Sequence, residues 1–245
     1  MKSTKLFLKL FILLTVFLAV SLSIFYFLIY KEQKNLPPAE SNPQSEAPAK
    51  KYPTVIIDAG HGGEDGGTIG KNGAEEKDIN LVLAKKLKYK LDALGIPCVL
   101  TRSTDILLYD RNTDYEGKKK RLDLLARKEF AEQYENAVFI SIHQNSYPKE
   151  QYSGFQAYYS PNEQTSKELA LLIENSVREK LQPQNNRAAK QADSSIYLLD
   201  KLYCPAVLLE CGFLSNQTEC IKLCNEEYQN ELCDAIIDGI VVFLE

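Results

Sequence analysis

Apolar positions along this chain fall into three regimes. Residues 10–30 are apolar or uncharged throughout, and residues 31–51 are polar and rich in proline. From residue 52 onward, short apolar runs of strand length alternate with apolar positions spaced three and four apart. Residues 54–57 (Thr-Val-Ile-Ile) predict a short buried strand, since β-branched side chains suit a covered, pleated surface. The strand runs into Asp58-Ala59-Gly60-His61-Gly62-Gly63, a glycine turn that presents a histidine. Asp78 is the expected N-cap of a helix with Ile79, Val82, Leu83, Leu87, Leu91 and Leu94 on one face, and Gly95 stops it. Residues 96–101 predict a second strand, giving a parallel strand-helix-strand unit. The charged stretch 105–120 is irregular. Leu122, Leu125, Ala126 and Phe130 mark a second helix and residues 137–142 a third strand. A further strand is expected over 155–159, and a helix over 163–181 with Leu169, Leu172, Ile173, Val177 and Leu181 in register. Residues 196–199 and 206–209 read as short strands. Helices close the chain, the last using Ile236, Ile237, Ile240 and Phe243. The alternation predicts a single α/β domain, its central sheet mostly parallel and flanked by helices on both faces.

The N-terminal regime changes the picture of placement. Lys2, Lys5 and Lys9 precede the uncharged run 10–30, which as a helix spans about 31 Å, enough for a hydrocarbon core of about 30 Å. A cleaved signal peptide starts with the same charges, but its apolar core is shorter. Here residues 22–30 continue beyond the small-residue site near Ala19 and Ser21. Residues 1–30 are therefore expected to be an uncleaved membrane anchor. The lysines before the span favour a C-terminal domain outside the cytoplasm, in the cell envelope. Residues 31–51, with Pro37, Pro38, Pro43 and Pro48, cannot bury a core and should form a disordered tether reaching about 25 Å on average. Residues 52–245 remain as one domain of ordinary size.

The first 51 residues carry seven lysines and three glutamates, a net of +4. Against −4 for the whole chain, this leaves the domain at −8. An acidic domain without a basic stripe argues against a nucleic-acid partner. Neither a dinucleotide fingerprint nor a Walker loop fits the glycines, because Asp65 stands where either would need glycine. Of the six cysteines, five (Cys204, Cys211, Cys220, Cys224, Cys233) lie in the last quarter. Buried free thiols are the expected state; disulfides, or a structural zinc using Cys220 and Cys224, are the alternatives.

The chain has only two histidines, and both stand at the ends of expected strands: His61 after residues 54–57, His143 after Val138-Phe139-Ile140-Ser141-Ile142. A lone histidine is more often a satisfied core or surface residue than a ligand, but two at equivalent strand ends point to a shared site. Glu210 ends a third such run, Val207-Leu208-Leu209. Two imidazoles and one carboxylate form a frequent catalytic zinc set with a position left for water. A second carboxylate is then needed to move the proton. Among Glu75, Glu76 and Glu210, the pattern alone does not tell ligand from base.

These residues resemble the zinc-dependent N-acetylmuramoyl-L-alanine amidases of the type 3 amidase family. The likeness covers residues 53–245 and rests on Ile57-Asp58-Ala59-Gly60-His61-Gly62-Gly63, Glu76-Lys77-Asp78-Ile79-Asn80-Leu81, Thr101-Arg102, Ser141-Ile142-His143-Gln144-Asn145 and Leu209-Glu210-Cys211-Gly212-Phe213-Leu214-Ser215-Asn216. It implies His61, Glu76 and His143 as ligands of one Zn2+, Glu210 as catalytic base, and support roles for Arg127 and Asn145; a helix-surface arginine is the plainer alternative for Arg127. It implies peptidoglycan as substrate, cut at the amide between the lactyl group of N-acetylmuramic acid and L-alanine. Ala59 and Gln144 depart from the usual proline and the usual small or apolar residue, without adding or removing a ligand. Within the family, the anchor, the charged insertion 105–120 and Asn145-Ser146-Tyr147-Pro148 with Ser153-Gly154 are most like spore-cortex amidases of the CwlD type. That subgroup implies a role in forming muramic δ-lactam, in the space between forespore and mother-cell membranes, and leaves an activating protein partner open. The competing functions are another zinc amidohydrolase or carboxypeptidase acting on the stem peptide, and a non-catalytic wall-binding protein.

Overall fold

The structure, a computed structural model, describes Ser21 and residues 52–110, 112 and 117–245. Apart from Ser21, the expected anchor and tether lie outside these residues. Among the described residues, no helix is long and apolar enough to cross a membrane.

The chain enters a six-stranded sheet at β1 (Thr54–Ala59) and continues through α1 (Glu76–Ala93), β2 (Cys98–Leu100), α2 (Lys119–Ala131), β3 (Ala137–Asn145), β4 (Gln156–Tyr159), α3 (Thr165–Lys180), β5 (Lys190–Gln191), α4 (Tyr197–Lys201), β6 (Ala206–Phe213), α5 (Gln217–Leu223) and α6 (Glu226–Leu244). Strand order is β2-β1-β3-β6-β4-β5. β2, β1, β3 and β6 run parallel, as the strand-helix-strand alternation predicts. β4 is antiparallel to β6, and β5 follows β4, so the sheet is mixed. The connection from β3 to β4 has no helix and is too short for a crossover, so the chain turns back at the same end of the sheet.

Each face of the sheet is covered. On one, Val55, Ile57, Ile140, Ile142, Val207 and Leu209 pack against Leu83, Leu87 and Leu91 of α1, Ile173 of α3 and Ile236 and Ile240 of α6. Each such fully buried side chain contributes about 1.5–3 kcal/mol relative to exposure. On the other, Ile56, Phe139 and Ala206 meet Ala131 of α2 and Leu198 and Leu199 of α4.

Four local expectations are corrected. Residues 196–199 belong to a helical turn, α4, not a strand; the Asp193 side chain accepts from the Ser195 amide at 2.8 Å and tips the chain into that turn. α1 begins at Glu76, before Asp78, because the Glu76 and Lys77 amides donate to the carbonyls of Thr68 and Gly66 and need no side-chain cap. On α1, Ile79, Leu83, Leu87 and Leu91 are buried as expected, whereas Val82 and Leu94 are exposed. α2 turns Asp123, Arg127 and Ala131 to the interior instead of the face carrying Leu122, Leu125 and Ala126. All six cysteines are free thiols, and Cys224 is the exposed one.

Candidate active site

The parallel strands β1, β3 and β6 deliver their carboxyl ends to one edge of the sheet, where open α/β sheets bind ligands. β1 stops at Ala59, and the Gly60 amide extends the ladder by donating to the Ile142 carbonyl at 3.1 Å. A Cβ at residue 60 would lie 2.2 Å from the Nε2 of His143, so glycine is required for that ring to sit where it does. His61 follows with φ +62°, the only non-glycine residue described in the left-handed region, a conformation costing on the order of 1–3 kcal/mol.

His61 Nε2 lies 3.3 Å from Glu76 Oε1, and His143 Nδ1 lies 3.0 Å from the same oxygen. The two rings meet edge-on, 4.9 Å between centroids. Glu76, the first residue of α1, is buried. Its Oε1 also accepts from the Gln144 amide at 3.0 Å, and its Oε2 from the Thr68 amide at 2.9 Å. Bonds of about 2.0–2.2 Å in a tetrahedral zinc site place ligand atoms about 3.4 Å apart. One oxygen and two imidazole nitrogens at these separations, all three donor atoms within 4.8 Å of one another, fit such an ion. The far nitrogen of His61, Nδ1, is 2.9 Å from Asp65 Oδ2, an ion-pair contact that is not aligned as a hydrogen bond. Burial opposes charge on both partners, yet contacts with the histidines hold Glu76 well below the usual carboxylate range. Asp65 and Glu76 together raise His61 to about 9.

Beneath the histidines lies a buried polar cage. Arg127, 1 % exposed, donates from Nε to Asp123 (2.7 Å), from Nη1 to Asp58 (2.5 Å) and to the Ala59 carbonyl (2.8 Å), and from Nη2 to the His61 carbonyl (2.7 Å). Ser141 and Thr101 donate to the two oxygens of Asp58 at 2.6 and 2.7 Å. Despite complete burial, Asp58 is held below its ordinary value by the Arg127 charge and these bonds. Arg102 clamps the next turn, donating to the carbonyls of Ala59, Gly60 and Lys77. Arg127 is thus no surface residue; it fixes the backbone on which His61 rides.

Glu210 stands on β6 directly opposite His143 of β3. With His61, His143 and Lys120 it lines a cleft of about 270 Å³ closed below by Leu199 and Leu208. Its Oε2 is buried without a partner among the described residues. Burial pushes its carboxyl up to about 7, moderated by His143. The structure therefore brings His61, Glu76, His143 and Glu210 to one place, with Arg127 behind them. Glu75 points outward to Lys77. Asn145 is tied through its main chain, its carbonyl accepting from the Leu214 amide, and its side chain makes no bond to the site residues described above.

Sequence pattern does not mark Asp65, Asp123, Ser141 or Asn80, whose side-chain amide donates to the Gly60 carbonyl at 3.1 Å, as members of the site. A signal exists for some: Ser141 interrupts an apolar strand on the inward face, and Asp65 follows His61 by four residues. Nothing in the helical periodicity marks Asp123.

The profile of the N-acetylmuramoyl-L-alanine amidase family matches residues 55–242. The chain belongs to this family. It is a peptidoglycan hydrolase that cuts the amide between the lactyl group of N-acetylmuramic acid and L-alanine, as the resemblance implies. Among its relatives, the germination-specific N-acetylmuramoyl-L-alanine amidase of Bacillus subtilis (strain 168) is 33% identical over 187 residues, covering 76% of this chain and 78% of that protein. The CwlD amidase of Clostridioides difficile, solved in complex with the GerS lipoprotein, superposes with a TM-score of 0.74 at 39% identity, covering 78% of this chain and 98% of that one. The amidase AmiC2 of Nostoc punctiforme gives a TM-score of 0.66 at 31% identity, over 78% and 96%. Among these relatives the likeness to the CwlD type stands.

Proposed function

We propose that this amidase is a zinc enzyme in which His61, Glu76 and His143 hold one ion and Glu210 moves the proton. The observation that carries the reading is the sharing of Glu76 Oε1 by both histidines, with Glu210 in the neighbouring register position. A zinc held there supplies Lewis acidity at the amide carbonyl and acidifies water. Glu210 accepts a proton from the attacking water and delivers it to the departing alanine nitrogen. Burial raises the Glu210 carboxyl above its ordinary value, the direction that suits a group that both takes and gives a proton. Arg127 and Asp58 keep His61 in its left-handed conformation, and Asp65 places a negative charge beside its ring.

We propose further that the enzyme serves cortex modification in spores, in the manner of the CwlD type, with residues 10–30 as an uncleaved anchor and the domain outside the cytoplasm, between the forespore and mother-cell membranes. The likeness to a germination-specific amidase supports this role, and the lipoprotein complex of the Clostridioides difficile relative supports an activating partner protein. The test is mass spectrometry of peptidoglycan incubated with the full-length protein and zinc. Free stem peptides beginning with alanine beside intact glycan are expected. Peptides shortened only at their carboxyl ends would overturn the amidase assignment in favour of a carboxypeptidase.

A further inference from the structure

Paired residues of neighbouring strands share a face of the sheet, so His143, Glu210 and Gln156 form one row across β3, β6 and β4. Adjacent strands lie about 4.8 Å apart. The row therefore continues one strand beyond Glu210, on the side away from His61 and Glu76. At that next position Gln156 holds an arginine from outside the row. Arg187, in the connection between α3 and β5, donates from Nη2 to Gln156 Oε1. Its guanidinium lies over the Phe213 ring, 4.9 Å from the centroid. The main chain beside it is pinned as well, with Gln156 Nε2 donating to the Ala188 carbonyl at 2.8 Å and Arg178 to the Arg187 carbonyl at 2.7 Å.

This cation is fixed in place but not neutralised. Among the described residues, no carboxylate comes within 4 Å of Arg187, its Nε is buried without an acceptor, and Gln156 is the one acceptor its side chain reaches. Glu174, Glu210 and Glu219 feel its charge only at longer range. A half-buried guanidinium is always charged and is built for bidentate recognition of carboxylates. Leaving it without an anion is costly unless one arrives with a ligand.

The direction of the row says which part of the substrate arrives there. The amide carbonyl belongs beside His61, Glu76 and His143, and the departing nitrogen belongs beside the group that protonates it, Glu210. Whatever follows that nitrogen continues past Glu210 toward Gln156. In peptidoglycan, this is the stem peptide, which carries carboxylates, whereas the lactyl-sugar side extends the other way. One strand spacing corresponds to one or two residues of extended peptide at about 3.5 Å each.

We propose that Arg187, presented by Phe213 and Gln156, binds a carboxylate near the start of the stem peptide and makes the enzyme selective for stems in which that carboxylate is free. This rests on the amidase reading and names the specificity of the same site. The Phe213 ring then serves as the platform that carries the guanidinium.

The test uses the full-length protein with zinc and two soluble muropeptides that differ only in whether the stem carboxylate nearest the alanine is free or amidated. The wild type is expected to prefer the free form. Arg187→Gln should lose about ten- to hundredfold in kcat/KM on it, mainly through KM, and little on the amidated form. Arg187→Lys should keep part of the preference. Zinc content and Tm matching the wild type would establish that the variant is folded; should Arg187→Gln fail to fold, the preference of Arg187→Lys, reduced or unchanged, decides. Equal wild-type rates on the two substrates, or equal losses on both in the variant, would overturn the role of Arg187 while leaving the amidase reading intact. Release of carboxyl-terminally shortened peptides in place of whole stems would overturn the amidase reading and this inference with it.

Discussion

Arg127 donates from Nη2 to the carbonyl of His61 at 2.7 Å, across 66 residues of sequence, and so a helix side chain holds the one left-handed non-glycine residue of the described chain. The same guanidinium pairs with both Asp58 and Asp123. Breaking a buried ion pair by removing one partner costs about 3–5 kcal/mol. Arg127→Met should lose stability in that range by urea unfolding, and Arg127→Lys, which keeps the charge without the fork of donors, should lose less. A Met variant as stable as the wild type would show that the cage is not what stabilises the strand ends.

Metal content is the direct check on the three donors. Full-length protein should bind one zinc, while His61→Ala and His143→Ala should bind markedly less. Chelation should abolish activity and leave the far-UV spectrum intact, because the buried sheet and helices carry the stability rather than the ion. Unchanged zinc in both alanine variants would remove them from the ligand set.

Glu210→Gln should retain zinc and substrate affinity but lose about 10²–10⁴ in turnover, the usual worth of general acid-base assistance. Gln keeps the size and one acceptor oxygen but cannot take a proton from water. Glu76→Gln should instead weaken zinc binding, with added metal recovering part of the activity. The opposite outcome, zinc lost with Glu210→Gln and kept with Glu76→Gln, would exchange the roles of the two carboxylates.

Glu174 of α3 predicts a pH effect far from the chemistry. It is 2 % exposed, and its Oε2 has no partner among the described residues. Burial raises its carboxyl from 4.5 to about 7, although Arg178 stands beside it. The folded state therefore binds a proton that the unfolded state releases between those values, and this contribution to stability is lost as pH rises from about 4.5 to about 7. Glu174→Gln should remove the slope, making the variant about 1–2 kcal/mol more stable relative to wild type at pH 8 than at pH 4. Parallel unfolding curves at the two pH values would refute the assignment.

Apolar spacing made the strands of the sheet centre and the long helices legible, because Val55, Ile57, Ile140 and Leu209 face helices whose own apolar stripes recur every turn. The two histidines were legible because each ends such a strand. Periodicity failed where polar groups displaced apolar ones inside. α2 buries Asp123 and Arg127 because the Asp58 carboxylate and the carbonyls of Ala59 and His61 demand partners, and no hydrophobic pattern encodes that demand. Strand direction at β4 was equally hidden, since it depends on the length of a helix-free connection. The four residues 196–199 fit strand or helix alike until the turn at Asp193 decides.

His61 and Glu76 are near neighbours in sequence, but His143 lies 67 positions beyond Glu76, and Glu210 lies further along still. Parallel neighbours of this kind close long loops before any contact repays the lost entropy. The full set of donors is assembled only once β1 and β3 have paired, so complete capture of the proposed zinc is expected to follow that pairing. Metal uptake during refolding would then be a clock for completion of the central sheet.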